Sequence, residues 1–494
     1  MTAKQNRFVA DHGSDMNPSD QIAFLDASLE RAAGVRPPEP ESRGKFLRRI
    51  AAEVNALGDE LIRVCHEETA LDMDRLRGER ARTANQLVVF AELVEEGSWV
   101  DARIDTALPD RKPVPKPDVR RMLHPLGPVA VFSASNFPLA FSVAGGDTAS
   151  AFAAGCPVAV KAHPGHPRTS VLVGDAIRNA AAETGMPEAI FHLVGDTSVE
   201  AGTALVMHPA VKAVGFTGSV QAGRALFNLA AGRPDPIPVF AEMSCLNPLV
   251  VMPGALRERQ AEIIRGLTGS VTLGVGQFCT KPGVVLGLRG PELEGFETGL
   301  ADALAKVAPG RMLHRGIEER LAGSLQKTQD FIRCSGAAHL LVASAKDFQS
   351  NRVLHEEIFG PATLIIECAN EAELLDTVQN LEGQLTATVH LTPDEHEASR
   401  PLLEILARKA GRLVINGYPT GVEVCPSMQH GGPYPASTDS RFTSVGTAAI
   451  QRFARPLCYQ NFPETLLPPE LHDVNRRRIW RLINGKLNKE DVGK

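Results

Sequence analysis

Cysteine is scarce in this sequence, and neither sign of charge dominates it. Only 8 of the 494 residues are cysteine, which is too few for a disulfide scaffold. Lysine and arginine number 52 and aspartate and glutamate 58, so the net charge of −6 argues against a general electrostatic nucleic-acid binder, although a local basic patch stays open. Hydrophobic residues at 43% and charged residues at 22% are typical of a folded globular protein. The length predicts two or three domains.

Long uninterrupted apolar runs are also missing. The longest segment without Lys, Arg, Glu or His covers residues 125–160, but it contains Asn136, Pro138 and Asp147. It therefore predicts a buried strand and helix rather than a membrane span. Residues 1–17 contain no apolar stretch of the kind that signal peptides have. We expect a cytoplasmic protein with reduced thiols and without membrane or nucleic-acid partners.

Strand and helix patterns alternate along most of the chain. Residues 18–100 have helical periodicity, whereas the proline-rich segment 102–128 predicts an exposed arm or edge ribbon. In the ranges 128–242 and 256–416, apolar strands are separated by helices, which predicts βαβ units and parallel sheets. Three of the expected helices are at 140–154, at 317–335 and, in a loop-rich tail, at 475–483.

The GxGxxG pattern of many dinucleotide-binding proteins is absent. The nearest approach, at 274–279, ends in cysteine instead of glycine. A different glycine pattern, Phe216-Thr-Gly-Ser219 with Gly223, follows a predicted strand and opens a predicted helix. There the backbone can approach a phosphate, and the helix N-terminus favours negative charge. A plain structural turn is an equally good interpretation of that pattern alone.

Three polar side chains occupy places where a ligand could reach them. Cys279 lies among glycines on a predicted loop, so its thiol is either reactive or an inert buried group. Glu242 ends a predicted parallel strand, where a carboxylate can face the ligand crevice and activate water, or can cap the next segment. Asn136 follows another strand, and its amide could donate to an oxyanion or form an Asx turn.

The order and spacing of these segments together resemble the aldehyde dehydrogenase superfamily over nearly the whole chain. The segments that carry the resemblance are Ser135-Asn-Phe-Pro138, Lys161-Ala-His-Pro164, Phe216-Thr-Gly-Ser219 with Gly223, Glu242-Met243, Gly276-Gln-Phe-Cys279 and Glu357-Ile-Phe-Gly-Pro361. The resemblance implies an α/β fold with two Rossmann-like open parallel-sheet domains and an oligomerisation arm. A homodimer or homotetramer is therefore expected.

The resemblance also divides the chain into parts. It implies a cofactor-binding domain, a catalytic domain, and an arm and tail for oligomerisation. The cofactor-binding domain takes residues 1–108 and 128–246, with a return around 425–454. The catalytic domain takes 247–424, and the arm and tail take 109–127 and 455–494.

The resemblance further implies a role for individual residues. Cys279 would attack the aldehyde, Asn136 and the Cys279 backbone N–H would hold the oxyanion, and Glu242 would activate the water that hydrolyses the thioester. No metal is expected. The implied cofactor contacts are Lys161 at the adenosine ribose with His163 beside it, Gly218, Ser219 and Gly223 at the pyrophosphate turn, and Glu357 and Phe359 at the nicotinamide ribose.

Two departures from the family pattern bear on the cofactor. Pro164 stands where NAD-preferring members commonly have a glutamate, with His163 before it and Arg168 nearby. Without that carboxylate a 2′-phosphate meets less repulsion, so we expect NADP, with NAD also accepted. Cys245 replaces a glycine that usually approaches the nicotinamide, and its thiol could crowd the cofactor or simply pack.

Segments at 145–147, 431–437 and 455–460 resemble the 2-oxoglutarate semialdehyde (2,5-dioxopentanoate) dehydrogenase branch. We therefore expect oxidation of 2-oxoglutarate semialdehyde to 2-oxoglutarate. The alternative within the family is an NADP-dependent long-chain or broad-specificity aldehyde dehydrogenase. Lys281 could bind a substrate carboxylate, although a solvated surface lysine is the favoured interpretation.

Alternatives of other kinds are disfavoured by particular residues. A CoA-acylating enzyme often lacks the glutamate that is present here as Glu242. A catalytically silent structural relative would not need Cys279, Asn136 and Glu242 together. A cysteine hydrolase would want a His–Cys pair, and no histidine lies within twenty residues of Cys279, although such partners can be distant in sequence.

Overall fold

The computed structural model describes residues 18–493. Its first part is helical, as predicted for 18–100. Apolar residues at helical spacing bury one face of the second helix and one face of the fourth in a shared core. The helices are α1 (Pro18–Ala33), α2 (Pro40–Ala56), α3 (Gly58–Thr69) and α4 (Met73–Glu96).

Five parallel strands form the first open sheet. They are β3 (Val129–Phe132), β4 (Val158–Lys161), β5 (Phe191–Val194), β6 (Ala213–Gly218) and β7 (Val239–Met243), in the order β5-β4-β3-β6-β7. The helices between them are α5 (Gly146–Ala154), α6 (Pro167–Thr184), α7 (Val199–Met207) and α8 (Val220–Ala231). The strand order reverses direction at β3. Such a reversal opens a ligand crevice at the carboxyl ends of the strands.

The helix predicted at 140–154 is six residues too long at its start. Helix α5 begins only at Gly146. Before it the chain makes a tight turn, in which the Gly146 N–H donates to the Ala140 carbonyl and the Gly145 N–H donates to the Ser142 carbonyl. A side chain at Gly145 would bring its Cβ within 2.6 Å of the Ser142 nitrogen, so the turn requires glycine.

Seven strands form the second sheet, all parallel except the edge strand β10. They are β8 (Leu249–Val251), β9 (Val284–Leu288), β10 (Ile332–Cys334), β11 (His339–Ser344), β12 (Ala362–Cys368), β13 (Gln384–His390) and β14 (Ala410–Ile415), in the order β10-β11-β12-β9-β8-β13-β14. The helices are α9 (Pro253–Thr272), α10 (Pro291–Ala305), α11 (Arg315–Lys327), α12 (Ala345–Ser350), α13 (Glu371–Gln379) and α14 (Arg400–Lys409). The helix predicted at 317–335 is wrong beyond Lys327, because β10 pairs with β11 instead.

The third sheet joins the proline-rich segment to the tail. Its strands are β1 (Arg103–Asp105), β2 (Val119–Pro125), β15 (Ala454–Gln460), β16 (Arg481–Ile483) and β17 (Lys486–Asn488), in the order β15-β2-β1-β16-β17. Strands β2 and β15 pair antiparallel over seven residues, and β15 is the edge. This is the ribbon expected near 102–128. The domain boundaries and the oligomeric state stay predictions.

The basic helix predicted at 475–483 is wrong. The buried Arg481 side chain donates to the carbonyls of His472, Asp473 and Glu490, so its charge ties loops together instead of facing solvent from a helix. Residues 481–483 form β16. Within 18–493, no helix is both long and apolar enough to cross a membrane.

Candidate active site

A cavity of about 820 Å³ opens at the carboxyl ends of β6 and β7. Both large sheets contribute to its wall, together with helix α11 and the loop before β12. Seven of the predicted site residues line it: Asn136, Gly218, Ser219, Glu242, Cys279, Glu357 and Phe359. Three others, Lys161, His163 and Gly223, are not among its lining residues. Residues far apart in sequence are thus brought to one crevice.

The backbone before Cys279 is unusual. Gly274, Val275 and Gly276 all have positive φ, at 55°, 59° and 67°. This conformation is strained for Val275 because its side chain is β-branched. A side chain at Gly276 would overlap the Gly360 carbonyl. The strained loop ends α9 and presents the partly exposed Cys279 to the cavity.

The Asn136 amide lies beside this loop. Its Nδ2 donates to the Gln277 carbonyl at 3.0 Å, two residues before Cys279. The side chain of Arg75, on α4, donates in turn to the Asn136 carbonyl at 2.6 Å. An amide nitrogen carries two hydrogens, so one remains to donate to an oxygen on the reacting carbon. The arrangement suits an oxyanion donor.

Glu242, at the end of β7, is buried, and one of its carboxylate oxygens is hydrogen-bonded. Oε2 accepts a hydrogen bond from the Ser444 hydroxyl, and Oε1 lies 3.0 Å from His430 Nε2. Burial raises the pKa of this carboxyl, but His430, Ser444 and Arg452 outweigh burial, so the pKa lies below its usual value. Glu242 is therefore a carboxylate at neutral pH.

His430 is the site residue that the sequence reasoning missed. Its Nε2 lies 3.5 Å from Cys279 Sγ, across 151 residues of sequence. Its backbone forms two hydrogen bonds with residues 443 and 444. His430 N donates to Thr443 Oγ1 at 2.8 Å, and Ser444 N donates to the His430 carbonyl at 2.8 Å. The one local signal was a histidine directly before two glycines.

The Cys279 thiol is protonated at rest. Burial raises its pKa well above the ordinary value, and the carboxylates of Glu242 and Glu357 raise it further. Arg82 acts in the opposite direction. A nucleophilic Cys279 would therefore need a base to remove its proton when it reacts.

Comparison with known proteins decides the family. The sequence pattern of the "Aldehyde dehydrogenase family" matches residues 6–326. This chain belongs to the aldehyde dehydrogenase family. It is 51% identical over 458 residues to "Alpha-ketoglutaric semialdehyde dehydrogenase 2" of Azospirillum brasilense, a match that covers 90% of this chain and 87% of that protein. Identity to "Alpha-ketoglutaric semialdehyde dehydrogenase" of Acinetobacter baylyi is 47% over 462 residues, with the same two coverages.

Solved structures agree on the fold. An NAD-dependent aldehyde dehydrogenase from Sinorhizobium meliloti matches with a TM-score of 0.74 at 21% identity, covering 89% of this chain and 86% of that one. The glyceraldehyde-3-phosphate dehydrogenase GapN from Methanocaldococcus jannaschii, complexed with NADP, matches with a TM-score of 0.74 at 19% identity, covering 89% and 94%. The predicted aldehyde dehydrogenase fold is confirmed, and the chain is an NAD(P)-dependent oxidoreductase that acts on aldehydes.

The cavity wall fits the family's nicotinamide cofactor. Glu357 Oε1 and Thr217 Oγ1 are buried there without a hydrogen-bond partner among residues 18–493. Burial raises the pKa of Glu357 to about 7, against the opposing charge of Lys281. The Ser219 hydroxyl caps α8 by accepting from the Ala222 N–H at 3.3 Å. The two oxygens without partners could accept hydrogen bonds from ribose hydroxyls, and the N-terminus of α8 suits a pyrophosphate.

The predicted residues outside this cavity wall have other surroundings. Lys161, at the end of β4, donates from Nζ to the Thr197 carbonyl at 2.8 Å. Burial, with His166 and His314 nearby, lowers the pKa of His163 to about 3, so this ring is neutral. A Cβ on Gly223 would lie 2.6 Å from Met243 Sδ. Gly223 therefore lets α8 pack closely on β7.

Two residues that the sequence left open are now placed. The Cys245 thiol donates to Asn247 Oδ1 and accepts from the Leu385 N–H, each at 3.2 Å, so it packs in the cavity wall. The interpretation of Lys281 as a surface lysine is wrong. Its side chain is fully buried, and Nζ donates to the Ala362 carbonyl at 2.6 Å. Burial lowers the pKa of Lys281 to about 8.

Cys279, His430 and Glu242 form a compact group. Their sulfur, nitrogen and oxygen atoms all lie within 4.8 Å of one another, which would also admit a metal ion. The expectation of no metal stays a prediction. The same closeness allows proton transfer within the group.

Proposed function

We propose that this protein oxidises 2-oxoglutarate semialdehyde to 2-oxoglutarate through a thioester on Cys279. The observation that carries this is the convergence of Cys279, Asn136 and Glu242 on one cavity in a chain 51% and 47% identical to proteins named for this substrate. Cys279 attacks the aldehyde carbon while Asn136 Nδ2 donates to the carbonyl oxygen. Glu242 then takes a proton from the water that hydrolyses the thioester.

The cofactor-binding residues divide between two parts of the dinucleotide. Gly218 and Ser219 would hold the pyrophosphate, with Lys161 at the adenosine ribose. Glu357 and Phe359 would hold the nicotinamide ribose. When bound, the nicotinamide accepts the hydride from the substrate's carbonyl carbon.

Two arginines on α4 support an acidic substrate. Arg75 and Arg82 lie on one helical face, seven residues apart, with Glu79 between them in sequence. The Arg75 guanidinium lies 4.9 Å from the centroid of the Phe278 ring, next to Cys279, and Arg82 lies 5.6 Å from that of Phe141. Arg75 Nη1 and Arg82 Nε and Nη2 are buried without a hydrogen-bond partner among the described residues.

Those unpartnered N–H groups need an acceptor. Glu79 is the nearby acid. Its Oε1 accepts from the N–H groups of Leu139 and Ala140, its Oε2 forms no hydrogen bond to either arginine among the described residues, and burial raises its pKa. The 2-oxo acid end of the semialdehyde would supply a carboxylate in this position. Neither arginine is among the lining residues of the cavity, but Arg75 bonds the Asn136 carbonyl and lies against Phe278 next to Cys279. On that proximity we assign this end of the substrate to Arg75 and Arg82.

For the cofactor, NADP is the proposed preference, with NAD also accepted. The support is Pro164, which puts no carboxylate where a 2′-phosphate would lie. His163 contributes no positive charge because it is neutral, and Arg168 is engaged with Glu67 at 3.2 Å. We also propose a homodimer or homotetramer built through the β2–β15 ribbon.

A substrate panel with both cofactors tests this proposal. We expect the highest kcat/KM with 2-oxoglutarate semialdehyde, and a higher value with NADP than with NAD. A higher kcat/KM with a long-chain aliphatic aldehyde would instead favour the broad-specificity alternative. A clear NAD preference in the same assays would overturn the cofactor proposal alone.

A further inference from the structure

One histidine in the site has no role in the chemistry described so far. His430 is buried, at 1% exposure, and is the side chain hydrogen-bonded to Cys279 Sγ. We propose that His430 takes the Cys279 proton when the thiol attacks the aldehyde, and returns it when the thiolate leaves. This rests on the proposed role of Cys279 as nucleophile.

Geometry favours His430 over Glu242 as the first acceptor of that proton. His430 Nε2 lies in hydrogen-bonding position 3.5 Å from Cys279 Sγ. Among the described residues, Glu242 forms no hydrogen bond to the thiol, and its Oε2 is occupied by Ser444. A base must be within hydrogen-bond reach of the proton it removes. His430 meets this condition in the tautomer that carries its proton on Nδ1 and leaves Nε2 free to accept.

Glu242 has a supporting role in the same step. Its Oε1 lies 3.0 Å from the Nε2 atom that would receive the proton. Because Glu242 is a carboxylate, it stabilises the imidazolium as soon as that forms. The resulting arrangement places one positive charge between a thiolate and a carboxylate, so no isolated charge is created in the site.

The ring of His430 contacts side chains of the site, namely Cys279 and Glu242. His430 Nδ1 is buried with no hydrogen-bond partner within the described part of the chain. The backbone of His430, in contrast, is positioned by hydrogen bonds with Thr443 and Ser444. All polar contacts of the ring face Cys279 and Glu242.

The steps balance in atoms and electrons. In the attack the S–H bond breaks, the proton moves to His430 Nε2, and a sulfur–carbon bond forms. The carbonyl electron pair moves to the oxygen beside Asn136. Before hydrolysis the carbonyl carbon would lose its hydride, with both electrons, to the bound nicotinamide cofactor. In hydrolysis the water oxygen bonds that carbon, the sulfur–carbon bond breaks with its pair on sulfur, and His430 returns its proton there. The proton taken from water leaves through Glu242 to solvent.

The test measures Cys279 alkylation without cofactor. Iodoacetamide would be added to the EDTA-treated, cofactor-free protein between pH 6 and 9, with the Cys279 adduct quantified by mass spectrometry. We expect His430→Gln to alkylate at least tenfold more slowly at pH 7, because its thiol has lost the acceptor. Rates within twofold of the unsubstituted protein at every pH would overturn the proposal.

A matched control uses a second buried histidine. His390, on β13, is 1% exposed and also lacks hydrogen bonds on both ring nitrogens among the described residues. His390→Gln should leave the Cys279 alkylation rate unchanged. Added imidazole should raise the rate of His430→Ala towards the unsubstituted value. Failure of imidazole to do so in a folded variant would contradict a proton-transfer role.

The unsubstituted protein supplies a test that does not depend on folding of a variant. Charged or titratable groups that act on the pair are Glu242 on β7, Arg82 on α4, and Cys245, Glu357 and Arg452. With His430 as proton acceptor, the alkylation rate should rise less than tenfold per pH unit over part of this range. A rate that rises tenfold per pH unit across the whole range would overturn the proposal.

Kinetics separate this inference from the proposed function. His430→Gln should slow the first burst of NAD(P)H. Glu242→Gln should slow steady turnover more than it slows the burst, because it loses the base for water as well as the carboxylate beside His430. A normal burst in His430→Gln would overturn the role of His430 and leave Cys279 as nucleophile. A normal burst in Cys279→Ala would overturn the proposed function itself.

Discussion

Replacing Arg82 with glutamine tests whether the substrate's acidic end lies against α4. The change removes a positive charge and two guanidinium nitrogens, Nε and Nη2, that have no hydrogen-bond partner among the described residues. A hydrogen bond between charged groups contributes roughly 1.5–3 kcal/mol. Since about 1.4 kcal/mol corresponds to tenfold, kcat/KM for 2-oxoglutarate semialdehyde should fall roughly 10- to 150-fold. For a neutral aldehyde of similar length, it should change little.

The assay compares those two aldehydes at saturating cofactor. Arg80→Gln is the control on the same helix, because the Arg80 side chain donates to the Gly58 carbonyl at 2.5 Å and has no place in the site. We expect Arg80→Gln to leave the ratio of the two kcat/KM values unchanged. An equal loss for both aldehydes in Arg82→Gln would refute the carboxylate assignment, since it would mean that Arg82 supports the site and not the substrate.

Two further predictions concern stability. Folding lowers the pKa of Glu242 from its usual 4.5, so the ionised carboxylate stabilises the native state above pH 4.5. That stabilisation is lost as pH falls through the native pKa. Denaturant unfolding at pH 5.5 and 3.5 should therefore show a smaller loss in Glu242→Gln than in the unsubstituted protein; an equal loss would contradict this. Gly276→Ala should lower Tm and activity together, because its Cβ would overlap the Gly360 carbonyl; an unchanged Tm and turnover would show that the loop can relax.

Much of the fold follows from local patterns. The strands of the first sheet lie within a few residues of their predicted positions, because short apolar runs between helices form buried parallel strands. Asn136 and Glu242 could be placed near each other for the same reason, since both follow or end strands of that sheet. Their meeting with Cys279 depended on the family resemblance, because Cys279 lies on an irregular loop.

The errors have long-range causes. The basic segment at 475–483 has helical composition, but its charges bond carbonyls brought from other loops. Lys281 comes just before β9, and its buried Nζ donates to the carbonyl of Ala362, the first residue of β12. His430 belongs to a loop-rich tail whose backbone is positioned by hydrogen bonds to residues 443–444. None of these contacts leaves a periodic signal in the sequence.

The position of His430 explains how a thiol with a raised pKa can serve as nucleophile here. Cys279 lies in surroundings that oppose its ionisation, since burial and two carboxylates raise its pKa. One of those carboxylates, Glu242, also contacts the nitrogen that would receive the thiol proton. The group that disfavours a free thiolate thus favours an imidazolium beside it. Proton transfer from Cys279 to His430 at the moment of attack pairs the thiolate with an imidazolium. Glu242 stays ionised for the later step with water.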